Sequence, residues 1–266
     1  MERGLKIAIS GKGGVGKTTL SALLAHLFAE DGRRVLSVDA DPDTNLGTAL
    51  GFTEDELSVQ TTIAADRALI KERTGATPGQ SGQWYTLNPQ VDDIPERYVL
   101  QKDGIRLLRL GTAAKGGAGC DCPENTFLKH LLRHLVVQRD DTVIVDMEAG
   151  LEHLGRGSTG GVDAFIVVVE PGKRSFQTAM VTAQFAKDLG VKRVYVVANK
   201  VRPGDEELVA ANIDFLPLLG ILPYDSSAVQ VDLAGDSVHG LSKTMLDAAR
   251  SIKARLEAEM AARVPA

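Results

Sequence analysis

A glycine-rich loop between two apolar segments places the tightest limit on how this chain folds. Residues 11–18 fit the pattern G-x-x-x-x-G-K-[ST], with a β-branched run at 5–10 before them and a helical pattern at 18–30 after them. Such a loop tolerates positive φ and ends on a helix N-terminus, so that its N–H groups converge on an anion. The pattern therefore predicts a strand, a phosphate-binding loop and a helix, in that order.

The residues of this loop have predicted roles in holding a nucleotide. Lys17 would neutralise charge on the β- and γ-phosphates, and the Thr18 hydroxyl would ligate Mg²⁺. A glycine-rich turn without a ligand is the alternative that the pattern leaves open. The predicted phosphate contacts are Gly13, Gly14, Val15, Gly16, Lys17, Thr18 and Thr19.

Short apolar runs rich in β-branched residues recur along the chain, and most are followed by a turn and a helical pattern. This alternation is typical of βαβ units, and with the loop it predicts an α/β fold of the P-loop NTPase kind, a mostly parallel sheet flanked by helices on both faces. The predicted strands are residues 5–10, 34–39, 105–110, 142–146, 164–170, 193–198 and 220–222. The predicted helices are residues 18–30, 127–137, 176–189 and 242–262.

The predicted organisation is a single P-loop NTPase domain over residues 1–266, with an irregular insertion at about 53–104. Pro78, Gly79 and Pro89 help to break any long apolar period in that segment. No low-complexity linker and no internal repeat interrupts the rest, and 44% hydrophobic residues are enough for a full core.

Charge and hydropathy exclude several classes of partner. The chain carries 30 Lys and Arg against 35 Asp and Glu, a net charge of −5, which gives no basic footprint for nucleic acid or anionic lipid. Its longest apolar run, Ala164–Val169, is far shorter than the ~18 residues that span a bilayer. The N-terminus lacks a signal peptide's continuous apolar segment. The expectation is a cytoplasmic protein that binds neither nucleic acid nor membrane.

A second lysine within the loop carries a resemblance to a known superfamily. The stretch K-G-G-V-G-K-T-T at residues 12–19 resembles the deviant Walker A motif of the MinD/ParA/nitrogenase iron-protein superfamily. The resemblance implies that Lys12 reaches across a dimer interface to the partner's phosphates, so that hydrolysis depends on dimerisation. A solvated loop lysine that only attracts anions is the alternative.

Two acidic clusters follow strands where such an enzyme needs them. Residues 39–45 resemble the superfamily's switch I, which implies that Asp41 positions or activates the attacking water and that Asp39 holds Mg²⁺ through its water shell. A second apolar strand closes on Asp146, as a Walker B segment does, with Gly150 as the switch II hinge. Acidic residues are common at the strand ends of any α/β sheet. Each cluster alone is therefore weak evidence for a nucleotide site, and the two clusters are strong evidence only together with the glycine-rich loop.

The absence of one residue from a known motif limits which base the nucleotide can carry. Residues 199–202 begin like the guanine motif N-K-x-D but place Arg202 where the discriminating aspartate would be. The aspartate side chain that selects guanine is therefore absent. The superfamily resemblance implies ATP or ADP. The predicted nucleotide contacts here are Asn199, Lys200 and, in the turn at residues 222–225 near the adenine, Pro223. Helix capping or a simple turn would explain these residues almost as well.

The two cysteines of the chain lie one residue apart. A disulfide between Cys120 and Cys122 would close a small strained ring, which a reducing cytosol disfavours. Two thiolates make half of the four-coordinate set that soft divalent metals prefer. If two protomers meet face to face, as Lys12 implies, the cysteines of both complete a shared Cys₄ site for Ni²⁺ or Zn²⁺. Packing of the pair as small apolar side chains is the alternative.

Residues around these cysteines sharpen the resemblance. Cys120, Cys122 and the Pro-Glu-Asn that follows, together with residues 146–153, are similar to segments of the CooC-type nickel-insertion ATPases of carbon monoxide dehydrogenase maturation. The likeness covers nearly the whole chain. It implies a homodimer driven by ATP and metal that delivers nickel to the active-site cluster of its client, carbon monoxide dehydrogenase. The cofactors it implies are ATP or ADP, Mg²⁺ and Ni²⁺, with Zn²⁺ possible in the same thiolate site.

Two other functions remain open from the sequence. One is a MinD/ParA-like positioning ATPase with a membrane or DNA partner, against which the charge balance and the lack of bulky aromatic residues in the last helix argue. The other is an electron-transfer ATPase like the nitrogenase iron protein. That family takes its cluster ligands from two widely separated cysteines per chain, not from a C-x-C pair.

Overall fold

An eight-stranded sheet forms the centre of the protein. The computed structural model describes residues 4–80, 82–111, 123–138, 140–148 and 161–262. The strands are β1 (Lys6–Gly11), β2 (Val35–Asp39), β3 (Leu100–Lys102), β4 (Ile105–Arg109), β5 (Thr142–Asp146), β6 (Ala164–Val169), β7 (Val194–Val201) and β8 (Leu218–Pro223). They lie in the order β3-β4-β2-β5-β1-β6-β7-β8, and neighbours are parallel except for the antiparallel edge pair β3–β4.

Helices cover both faces of the sheet. They are α1 (Lys17–Glu30), α2 (Leu46–Ala49), α3 (Glu54–Ser58), α4 (Arg67–Thr74), α5 (Ile94–Tyr98), α6 (Pro123–Gln138), α7 (Lys173–Asp188), α8 (Glu206–Asn212), α9 (Ser226–Ala234) and α10 (Lys243–Ala261). One core lies between the sheet and α4 to α8 and includes Phe127. The other lies between the sheet and α1, α2 and α10 and includes Phe28. Among the described helices, none has both the length and the hydropathy needed to cross a membrane.

This architecture confirms the predicted α/β fold with a mostly parallel sheet and helices on both faces. The predicted strand at 193–198 is too short, because β7 continues to Val201 through an irregular register after Ala198. The polar residues Asn199 and Lys200 conceal this extension. The helix predicted at 127–137 begins earlier, at Pro123, since a polar first turn hides its start. Edge strand β3 was not predicted, because three residues show no periodicity.

The segment predicted to be irregular contains short regular elements. Thr53 starts α3 with a capping box to Glu56, and Asp66 caps α4 by accepting a backbone N–H at 2.8 Å. These helices are too short to show an apolar period, since the longest, α4, has 8 residues. Ile70 and Ile94 are fully buried in the core that also contains α6. The division of the chain into one domain and an insertion stays a prediction.

The sheet topology gathers the predicted site at one edge. Strands β2, β5 and β1 are adjacent and parallel, so their carboxyl ends lie side by side. The register pairs Asp146 of β5 with Asp39 of β2 on one side and with Ile9 of β1 on the other. In open parallel sheets, ligands bind in the crevice outside the carboxyl ends of the strands. The glycine-rich loop after β1 therefore opens beside both strand-ending aspartates.

Candidate nucleotide-binding site

The loop between β1 and α1 has the backbone that only glycine adopts easily. Gly14 (φ 80°) and Gly16 (φ 94°) lie in the left-handed region. A Cβ on Gly16 would also lie 2.1 Å from the side-chain amide nitrogen of Asn199, so any other residue there would displace that side chain. Val15 is fully buried and anchors the loop. Because α1 begins at Lys17, the loop ends on a helix N-terminus, as an anion site requires.

Lys17 and Asp41 form a largely buried ion pair beside this loop. The Lys17 Nζ lies 3.3 Å from Asp41 Oδ2, and the two side chains are 7% and 14% exposed. A buried ammonium group needs a counter-charge, and the segment after β2 supplies it. A phosphate entering the site would compete with Asp41 for Lys17. Two residues predicted to act in catalysis are thus in direct contact.

Thr18 and Asp146 form a set of oxygen donors that fits magnesium. The Thr18 Oγ1 donates a hydrogen bond to Asp146 Oδ2 at 2.7 Å. Asp146 is fully buried, and its Oδ1 has no hydrogen-bond partner within the described part of the chain. Buried polar atoms without a partner are rare. A hydroxyl and a carboxylate are the hard ligands that Mg²⁺ prefers, so the residues present fit this ion.

Asp39 and Asp146 are both fully buried and lie opposite each other in the β2–β5 register. Burial, with the charge of Asp146 second, raises the pKa of Asp39 to about 8, although backbone N–H groups of Leu46 and Asp41 donate to its carboxylate. Burial also raises the pKa of Asp146 to about 6, opposed by the hydrogen bond from Thr18. A divalent cation beside the pair would relieve this cost of ionisation.

We expect the chain free of nucleotide and metal to lose stability as pH rises between about 4 and about 8. The folded chain keeps a proton on Asp39 up to a pKa of about 8, against 3.8 for the ordinary group, so rising pH favours the unfolded state across this window. Asp39→Asn removes that titration. Between the two pH values, the free energy of unfolding of this variant should therefore fall by a few kcal/mol less than that of the original chain. Urea unfolding of both chains at about pH 5 and pH 8 measures the difference. The same pH dependence in both chains would show that Asp39 ionises normally.

Asn199 and Lys200 support the loop from the side of β7. The Asn199 Nδ2 donates to the Val15 carbonyl at 2.8 Å, and Asn199 is buried. Lys200, with a φ of 59°, donates from Nζ to the Gly14 carbonyl at 2.5 Å and lies 3.3 Å from the Glu170 carboxylate. Both predicted nucleotide contacts therefore hold the phosphate loop in position.

A cavity of about 540 Å³ opens over the loop and has the size of a small-molecule site. Its wall combines the loop, the segment after β2 and the turn after β8. The predicted residues that line it are Gly13, Gly14, Gly16, Lys17, Thr18, Thr19, Asp41, Asn199, Lys200 and Pro223. Val15, Asp39 and Asp146 are buried and do not line it.

Some residues of the cavity wall were not predicted as site residues. Glu148 lies two positions after Asp146, so the pattern of an apolar strand ending in acids could have included it. Tyr224 belongs to the turn predicted near the adenine, although it was not named as a contact. It is 48% exposed, and the Arg202 guanidinium lies 5.3 Å from its ring centroid. Other parts of the wall come from distant segments that no sequence pattern connects: Thr48, Val238 and Met245.

Several predicted residues lie away from this cavity. Cys120, Cys122 and Gly150 fall outside the described residues. Lys12 is exposed and does not line the cavity of its own chain. Within the described ranges, no three His, Cys, Asp or Glu side chains converge as metal ligands. The shared thiolate site and the role of Lys12 across a dimer stay predictions.

The chain is similar to two proteins over nearly its whole length. It is 44% identical to the carbon monoxide dehydrogenase accessory protein CooC of Rhodospirillum rubrum, with 95% of this chain and 96% of that protein covered. It is 42% identical to an uncharacterized ATP-binding protein of Methanocaldococcus jannaschii, with 90% of this chain and 93% of that protein covered.

Its fold is also similar to that of a solved structure. The septum site-determining protein MinD of Pyrococcus horikoshii, complexed with Mg-ADP, aligns with a TM-score of 0.66 and 20% identity, covering 98% of this chain and 100% of that one. The family described as the CobQ/CobB/MinD/ParA nucleotide binding domain matches residues 6–238. The chain therefore belongs to the CobQ/CobB/MinD/ParA family of nucleotide-binding domains and is an ATPase of that family.

Proposed function

We propose that the chain is an ATP-hydrolysing metallochaperone that dimerises with ATP and metal and delivers nickel to the active-site cluster of carbon monoxide dehydrogenase. The observation that carries this proposal is the 44% identity to the Rhodospirillum rubrum accessory protein over 95% of this chain. Cys120 and Cys122 support it, because two thiolates per chain supply half of a four-coordinate site for a soft metal.

Lys17 responds first to the nucleotide in this proposal. Its ammonium group lies 3.3 Å from Asp41, and a phosphate oxygen entering the cavity attracts the same positive charge. When Lys17 turns to the phosphates, the Asp41 carboxylate is released to orient a water molecule and accept its proton. The Asp43 N–H donates to Asp41 Oδ1 at 3.1 Å, so this exchange would also move the backbone after β2. Nucleotide binding is thereby coupled to a surface segment.

Thr18, Asp146 and Asp39 would hold magnesium. Thr18 offers a hydroxyl at the start of α1, and Asp146 offers a buried oxygen without a partner among the described residues. Asp39 lies opposite Asp146 and adds a second carboxylate. When bound, the ion supplies neutralisation of the charge that develops on the phosphates during hydrolysis.

Dimerisation would complete two sites at once. Lys12 is exposed and does not line the cavity of its own chain, which supports a role at the phosphates of a partner. The same closure would bring the two cysteines of each chain together around the cargo metal. By linkage, a metal that binds the closed dimer more tightly must strengthen ATP-driven dimerisation by the same factor. Hydrolysis would then open the dimer and release the metal.

Activation of nickel-free carbon monoxide dehydrogenase tests this function. With the chain, Mg-ATP and Ni²⁺ present, we expect CO oxidation to recover roughly tenfold more than with ADP in place of ATP. Lys17→Gln is the control chain, because it keeps both cysteines but lacks the ammonium group that meets the phosphates. Equal recovery with ATP, with ADP and with the control chain would contradict nickel delivery driven by hydrolysis.

A further inference from the structure

We propose that a groove beside α6 is the docking site for an acidic segment of the client protein, an inference that rests on the function proposed above. The groove has a volume of about 480 Å³ and lies between α6 and loop residues 88–92. Among the described residues of α6, His130, Arg133, His134 and Val137 line it. In the sequence, α6 begins directly after Cys122. A client held here would be bound to the helix that follows the metal-binding cysteines.

The groove presents hydrogen-bond donors from two histidines and an arginine, and Arg133 adds one positive charge. Arg133 is exposed and forms no ion pair with another described residue. Lys129, one turn earlier on the same side of α6, is half-buried and also forms no ion pair with another described residue. Burial, followed by repulsion from Arg133, lowers the pKa of His130, while a hydrogen bond to the Leu87 backbone partly offsets it. Among the described residues that line the groove, Asp92 is the only acidic one. Carboxylates of a partner fit this surface.

Exposed apolar side chains lie in the groove and in the chain segment that leads into its loop. Val137 lines it and is 46% exposed, and Leu87 immediately precedes the lining loop and is 66% exposed. Trp84, three positions earlier, is 97% exposed. Large apolar side chains exposed together indicate a contact surface, and tryptophan and arginine are enriched where binding energy concentrates. The partner segment should therefore carry an apolar side chain beside its carboxylates.

Two other occupants fit the groove less well. On the two-fold axis of a homodimer, the groove would face its own copy and bring Arg133 and Lys129 against like charges. A membrane surface is bound by apolar side chains that project from a helix face, whereas α6 and residues 88–92 enclose a concave space. An acidic protein segment satisfies both the charge and the shape.

Binding of nickel-free carbon monoxide dehydrogenase to the full chain tests the proposal. Arg133→Glu should weaken this binding roughly tenfold, mainly by slowing association, and raised salt should remove most of the difference. Arg255→Glu is the matched control, because Arg255 is exposed on α10, which packs on the opposite face of the sheet. Leu87→Ser should weaken binding several-fold. Leu208→Ser, at a leucine of α8 that is 61% exposed, should not.

The outcomes separate this inference from the proposed function. All four variants lie outside the nucleotide cavity, so unchanged ATP hydrolysis shows that each is folded. If Arg133→Glu binds the client as tightly as the original chain does, and the original chain still activates the client, only the docking site is overturned. Loss of dimerisation in Arg133→Glu would assign the groove to a second copy. Weaker binding to phosphatidylglycerol vesicles with unchanged client binding would assign it to a membrane, and both results overturn the proposal. If the original chain neither binds nor activates the client, the proposed function fails with it.

Discussion

Replacing both cysteines with serine, Cys120→Ser with Cys122→Ser, is expected to abolish stoichiometric metal binding and client activation while ATP binding stays unchanged. A serine hydroxyl keeps its proton at neutral pH, so no thiolate remains for Ni²⁺ or Zn²⁺. Neither cysteine is among the described residues that form the nucleotide cavity, so the Kd for ATP should not change. Elemental analysis after anaerobic dialysis against Ni²⁺, with and without ATP, measures the loss.

The alternative interpretation of the cysteines gives a different result. If the pair only packs as small apolar side chains, the double variant should bind as much metal as the original chain and differ only in stability. The single variant Cys122→Ser leaves one thiolate per chain, so a shared site should be weakened but still depend on ATP. Unchanged metal uptake by the double variant would eliminate the thiolate site.

Lys12→Gln is expected to slow ATP hydrolysis by about 10³-fold or more, which is the effect of removing a cation supplied in trans to a phosphoryl transition state. ATP should still bind with nearly the same Kd, because Lys12 does not line the cavity of its own chain. Lys17→Gln should instead weaken ATP binding itself, since Lys17 lines that cavity. Separate measurements of kcat and of the Kd for ATP distinguish the two lysines.

A mixing experiment shows in which chain Lys12 acts. Asp41→Asn should be inactive because it lacks the group that orients the water. In a mixed dimer with Lys12→Gln, one site then contains Asp41 of its own chain and Lys12 of the other, so random mixing should restore about a quarter of the original activity. If Lys12 served its own chain, neither site of the mixed dimer would be complete, and the mixture would stay inactive.

Most of the sheet could be predicted because its central strands are buried on both faces and are therefore continuous apolar runs, such as Ala164–Val169. The short elements at 53–104 could not be, because helices of up to 8 residues show no reliable period. They are fixed by tertiary contacts such as those of Ile70 and Ile94, which join the same core as α6.

The backbone of the glycine-rich loop could be predicted because its geometry is local, with φ of 80° at Gly14 and 94° at Gly16. Contacts that depend on strand order could not. The hydrogen bond from Thr18 to Asp146 requires β1 and β5 to be neighbours, and the sequence does not specify that order. The bond from Asn199 to the Val15 carbonyl joins residues 184 positions apart, which no motif records.

The mass of the particle in solution tests the central claim most directly. Sedimentation equilibrium of the chain with Mg-ATP and Ni²⁺ should give two chains per particle and one nickel ion per two chains, while the chain with ADP and a chelator should sediment alone. A single chain under every combination of nucleotide and metal would contradict a metal site shared between two protomers.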